Sequence, residues 1–107
     1  MDTIGILGAG AMGSGIAQVA AAAGHKVVLC DNLTIALSKA SKGIQASMKT
    51  LTERGKISDS DAYSLFSRIQ FADHMSQFRD CTMVIEAIQE DIEQKQIAFK
   101  SMEAIVA

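Results

Sequence analysis

Short apolar runs and helical apolar stripes alternate along this chain. Around Ile4, Ile6 and Leu7 the run is compact, and it reads as a strand over 3–7 buried on both faces. Met12, Ile16, Val19, Ala20 and Ala23 then recur at helical spacing, which predicts a helix over 12–23 capped by Gly24. Lys26-Val27-Val28-Leu29-Cys30-Asp31 gives a second strand, 26–31. Leu37, Ala40, Ile44, Met48 and Leu51 form one stripe of a long helix over 34–54 that Gly55 ends. Ser58, with Asp61 three residues on, starts another helix over 59–68. A strand at 69–72, a short helix at 75–79, a strand at 82–87 and a helix at 92–106 complete the series.

Strands and helices in that order imply right-handed crossovers and a parallel sheet. The predicted fold class is α/β, a Rossmann-type doubly wound parallel sheet in three αβα layers with strand order 3-2-1-4. Its switch point falls between the first and fourth strands. About four strands are visible, so the sheet reads as incomplete. Residues 1–107 are therefore expected to be the N-terminal portion of a longer enzyme.

At 107 residues the chain is one domain at most, and its 49% apolar content is enough for a real core. A net charge of −2 with no basic run argues against nucleic acid as a partner. No 18-residue apolar span is present to cross a membrane, and a strand starting at residue 3 leaves no room for a signal or transit peptide. Cys30 and Cys81 lie in or beside strand-like segments. They read as reduced packing residues of a cytoplasmic protein, not as a bridge or a metal pair.

The chemistry sits in Gly8-Ala9-Gly10-Ala11-Met12-Gly13, a Gly-x-Gly-x-x-Gly turn between the first strand and the first helix. Gly8 permits a tight turn, Gly10 lets backbone N–H groups approach a pyrophosphate, and Gly13 lets the helix lie close to the strand. Asp31, 18 positions past Gly13, ends the second strand. A carboxylate there can accept hydrogen bonds from both hydroxyls of an adenosine ribose and repels a 2′-phosphate. Asn32, Leu33 and Thr34 follow it without an Arg, which favours NAD over NADP. The bland alternative for Asp31 is a turn residue or helix cap.

On these residues the chain resembles the N-terminal NAD-binding region of the 3-hydroxyacyl-CoA dehydrogenase family. The likeness runs through Gly8–Gln18, Ala23–Asp31, Ser41-Lys42-Gly43-Ile44, Gly55-Lys56-Ile57-Ser58 and Val84–Asp91. The helical pair ending in Gly-Lys-Ile-Ser is more specific to that family than the glycine turn. The resemblance implies that Glu90 and Lys95 bind the nicotinamide half of NAD, with backbone groups of Ala87 and Ile88 nearby. It also implies that Ser47 and Arg54 touch the CoA part of an acyl-CoA substrate, the family usually carrying Lys at the second position. Helix-terminal charge is the alternative for Glu90, and solvated surface for Lys95, Ser47 and Arg54.

The reaction so implied is NAD-dependent oxidation of a 3-hydroxyacyl-CoA to the 3-oxoacyl-CoA. Its catalytic His, Glu, Ser and Asn would lie downstream of Ala107, so residues 1–107 alone are expected to be inactive. A homodimer through a helical C-terminal domain is implied as well. His25 is placed at the amino end of the second strand, roughly 17–20 Å from the cofactor end, and reads as a turn residue; His74 follows the outer strand, away from the nicotinamide, and reads as a surface loop residue. Two alternatives stand beside this reading. One is the 3-hydroxyisobutyrate or 6-phosphogluconate dehydrogenase class, opposed by Asp31 and the helical insert. The other is a non-catalytic NAD-binding module.

Overall fold

A computed structural model describes residues 2–87. Four strands form one sheet: β1 (Thr3–Leu7), β2 (Lys26–Cys30), β3 (Ile69–Ala72) and β4 (Met83–Glu86). Their order is β3-β2-β1-β4 and every pairing is parallel. The last residues of the strands match one another, Leu7 with Cys30 and Glu86, and Cys30 with Ala72. That is the predicted topology. The helix assigned to 92–106 lies outside the described residues.

Helices α1 (Ala11–Ala22), α2 (Thr34–Glu53) and α3 (Asp59–Ser67) pack together with one face of the sheet. Ile6, Val27 and Leu29 point into that layer, where Ala17, Ala21, Ala40, Ile44, Met48, Ala62 and Leu65 meet them. The alternate residues Leu7, Val28 and Cys30 face the other way, as a period of two requires. Among the described residues, a 3-10 turn (Met75–Phe78), not a long helix, covers that second face. Phe78 is fully buried there, seated on β1 because Gly5 has no side chain. A Cβ on Gly5 would stand 2.6 Å from the Phe78 ring.

The α2 stripe is as predicted, with Ala40, Ile44 and Met48 buried and Leu37 and Leu51 flanking them. The α1 stripe holds only in part: Ile16 and Ala20 are half-buried and pack against the core. Met12 and Val19 are exposed, Val19 at 73%, as is Ala23, and the buried line is Gly13, Ala17 and Ala21. The helix lies so close to the sheet that its fully buried line holds only Gly and Ala, while Met12 and Val19 are turned aside. Element ends moved by one residue in places: α2 stops at Glu53, so Arg54 is its cap, and β2 stops at Cys30. Both α1 and α2 close with the same backbone arrangement. His25 N–H bonds Ala20 C=O at 3.1 Å, and Lys56 N–H bonds Leu51 C=O at 2.9 Å, with Gly55 at a φ of 69°.

Candidate functional site at the carboxyl edge of the sheet

All four strands deliver their carboxyl ends to one edge, and the glycine turn sits there. Gly8 extends the β1–β2 ladder, its N–H bonding Cys30 C=O at 2.8 Å, and then turns with a φ of 110°. Side-chain-bearing residues rarely adopt that conformation. Gly13 allows the second contact: a Cβ there would overlap the Gly8 carbonyl oxygen and lie 2.9 Å from its carbon. The first turn of α1 is therefore pressed against the end of β1. Ala87, after β4, adjoins the same point, 3.5 Å from where that Cβ would be.

The first bond within α1 runs from Ser14 N–H to Gly10 C=O at 2.9 Å. The amides of Ala11, Met12 and Gly13 precede it and have no acceptor inside the helix. No acidic side chain stands in this first turn and no side chain caps it. Above Gly10 nothing lies within 4 Å of where a Cβ would be. An open end of a 12-residue helix with free amides and no acidic side chain in its own first turn suits an anion. These residues fit a diphosphate.

Asp31 follows β2 directly and is half-buried. Its Oδ2 accepts the Ala9 N–H at 3.0 Å and its Oδ1 accepts the Leu33 N–H at 2.9 Å. The turn role that the sequence left as an alternative is thus present. An ionised carboxylate offers about four acceptor positions, so one on each oxygen is left for a hydroxyl pair.

The structure brings Gly8, Ala9, Gly10, Ala11, Met12, Gly13, Asp31 and Ala87 to one edge. Ile88, Glu90 and Lys95 lie outside the described residues. Ser47 is half-buried on α2, and Arg54 is exposed at its end, a few turns away. His25 Nδ1 lies 3.2 Å from Asp2 C=O in the turn before β2, and His74 caps the 3-10 turn, its Nδ1 3.0 Å from Ser76 N. Among the described residues no three His, Cys, Asp or Glu side chains gather to hold a metal, and no helix is long and apolar enough to cross a membrane.

Two further residues belong to this edge and sequence reasoning missed them. Ser14 Oγ donates to Ala9 C=O at 3.3 Å. Among the described residues, Lys39 is the one charged side chain on the wall of a cleft of about 440 Å³ between α1 and α2, which Gly10, Ala11 and Gly43 also line. Lys39, Gly43 and Ser47 follow at four-residue spacing and share a face of α2. That spacing was readable, but only the packing of α1 against α2 shows that the face borders the cleft.

Burial, helped by Asp31 and Asp73, pushes the Cys30 thiol up to about 11, and burial also raises Cys81, so neither is poised as a thiolate.

The family described as "3-hydroxyacyl-CoA dehydrogenase, NAD binding domain" matches residues 3–107. A probable 3-hydroxybutyryl-CoA dehydrogenase of Deinococcus radiodurans is 40% identical over 102 residues, which is 95% of this chain and 36% of that protein. The mitochondrial hydroxyacyl-coenzyme A dehydrogenase of Rattus norvegicus is 37% identical over 108 residues, 95% of this chain and 34% of its own. The crystal structure of (S)-3-hydroxybutyryl-CoA dehydrogenase from Ralstonia eutropha superposes with a TM-score of 0.95 at 33% identity, over 100% of this chain and 38% of that one. The chain thus spans about a third of the length of these relatives.

Proposed function

The chain belongs to the 3-hydroxyacyl-CoA dehydrogenase NAD-binding family, and from that premise we propose that it forms the cofactor-binding part of a longer enzyme that oxidises 3-hydroxyacyl-CoA to 3-oxoacyl-CoA. NAD, when bound, supplies the hydride acceptor. Everything this chain contributes is then binding and orientation. The α1 amides from Ala11 to Gly13 hold the diphosphate, Gly10 leaves room for it, and Asp31 accepts from the ribose hydroxyls. Ala87, with Ile88, Glu90 and Lys95 further along the chain, serves the nicotinamide half. Ser47 and Arg54 take the CoA tail, a hydroxyl and a guanidinium being suited to phosphate.

The observation that carries the cofactor half is the carboxylate of Asp31 set 3.0 Å from the amide of Ala9, beside the open end of α1. A 2′-phosphate at that place would meet a negative charge, which supports NAD over NADP. The substrate half rests on the relatives' names. Partners are an acyl-CoA and, through a helical domain outside this chain, a second copy of the enzyme. Neither nucleic acid nor a membrane is a partner. The relatives include mitochondrial and peroxisomal proteins. For this one a cytoplasmic setting is proposed, supported by its two free, buried thiols.

Calorimetric titration tests the cofactor: NAD should bind more tightly than NADP by about tenfold or more, ~1.4 kcal/mol. Oxidation of NADH by acetoacetyl-CoA tests the reaction. The full enzyme should turn over and residues 1–107 alone should not. Absence of NAD affinity would refute the cofactor site, and turnover by the 107 residues alone would refute the placement of the proton-transfer groups outside them.

A further inference from the structure

We infer that Asp31 is a positioning residue for the glycine turn as well as a ribose ligand, a latch that joins the phosphate cradle to the start of α2. The inference rests on the NAD reading of the site and adds a mechanical role to it. Both carboxylate oxygens are engaged by main chain before any ligand arrives, Oδ2 by Ala9 N–H at 3.0 Å and Oδ1 by Leu33 N–H at 2.9 Å. Ala9 is 4% exposed, so water is a poor substitute for that acceptor. Its carbonyl is held from the other side by Ser14 Oγ at 3.3 Å. One residue of the turn is thus gripped twice, from the end of β2 and from the first turn of α1.

Leu33 carries the connection onward. Its carbonyl accepts the Ala36 and Leu37 amides at 3.0 and 3.2 Å, which opens α2. Asp31 therefore fixes where Gly8 to Gly10 lie relative to α2, whose wall carries Lys39 across the cleft. A substitution made only to admit a 2′-phosphate removes this latch too. Phosphate binding suffers along with ribose recognition, even for a ligand that has no ribose hydroxyls.

That last consequence separates the latch from a plain ribose contact. ADP and 2′,3′-dideoxy-ADP, which lacks both hydroxyls, are titrated against wild type, Asp31→Ala and Asp31→Asn. If Asp31 is a latch, Asp31→Ala weakens dideoxy-ADP about five- to twentyfold, the order expected when a buried amide loses its acceptor. Asp31→Asn keeps one carbonyl acceptor for Ala9 and stays within about threefold of wild type for dideoxy-ADP while losing its preference for ADP. Equal dideoxy-ADP affinity in wild type and Asp31→Ala overturns the latch, and so does an Asn variant as weak as the Ala variant. Should wild type bind neither nucleotide, the NAD reading fails. Hydrogen exchange at the Ala9 amide then decides the latch alone: exchange faster by about tenfold or more in Asp31→Ala, with Asp31→Asn close to wild type, supports it, and an unchanged rate in Asp31→Ala overturns it.

Discussion

Replacing Gly13 by Ala asks whether α1 is held against β1 as closely as the site requires. Two effects oppose each other. Ala is the better helix former by about 1 kcal/mol, and on propensity alone the variant would be more stable. Against this, the new methyl overlaps the Gly8 carbonyl oxygen and sits 2.9 Å from its carbon. Carbon atoms pack best at about 3.5–4.0 Å, and the overlapped oxygen is nearer still, so α1 would have to retreat by more than about an ångström. Neither neighbour is a flexible side chain. Gly8 is main chain pinned by its bond to Cys30, and Ala87 stands 3.5 Å from the methyl on another side. A retreat also loosens Ala17 and Ala21, both fully buried against the sheet.

Overpacking of this kind costs about 3–4 kcal/mol, at and above the top of its usual range, because no side chain can rotate away. The net change is then a loss of about 2–3 kcal/mol, or a melting point lower by about 10–20 °C for a domain of this size. Gly15→Ala on the same helix is the control. Nothing lies within 4 Å of its added methyl, so propensity acts unopposed and the melting point should rise by about 4 °C. Thermal unfolding followed by circular dichroism measures both. A Gly13→Ala protein that melts at or above wild type would refute the close packing described here.

Other contacts in the fold lead to further outcomes. Gly5→Ala drives a methyl into the Phe78 ring at 2.6 Å and should cost about 2–3 kcal/mol; urea titration of the double variant with Phe78→Leu should show coupling of about 0.5 kcal/mol or more in the direction of rescue. Ser58→Ala removes the acceptor for Asp61 N–H at the start of α3 and should cost about 1 kcal/mol in the same assay. A Cys30 thiol at about 11 instead of 9.0 carries about a hundredth of the thiolate at pH 8, so mass spectrometry should find it resisting iodoacetamide until guanidinium unfolds the chain. The folded state binds that proton more tightly than the unfolded one. Cys30's contribution to stability is full below pH 9 and is lost as pH rises toward 11, a slope that Cys30→Ala should reduce.

The sheet was legible because each strand is a short apolar run and the crossover rule then fixes order and direction. Strand order, the three helices and the α2 stripe all followed from periodicity. On α1 periodicity misled in part: it found Ile16 and Ala20 but, being blind to size, also counted the exposed Met12, Val19 and Ala23. The line that fits under a helix pressed to a sheet is Gly13, Ala17 and Ala21. Gly5 was silent for a different reason: its partner Phe78 is 73 positions away, and a missing side chain leaves no pattern. At the site, the roles of Gly8 and Gly13 in the turn were readable from spacing. The double engagement of Asp31 was not, because the same residue at the same place serves a ligand and a loop equally well on paper.

The flush ends of the four strands make this edge intolerant of any change in strand length. Deleting one residue from β2 would swap its two faces, turning Val27 and Leu29 away from the helices. The same deletion would draw Asp31 back by about 3.3 Å, more than the whole of its bond to Ala9. Core and nucleotide ledge would be lost together, whereas a residue added between Arg54 and Ser58 leaves the strand register and the ledge as they are. Length variation in this lobe therefore belongs to its lower loops, and the strands act as fixed-length struts.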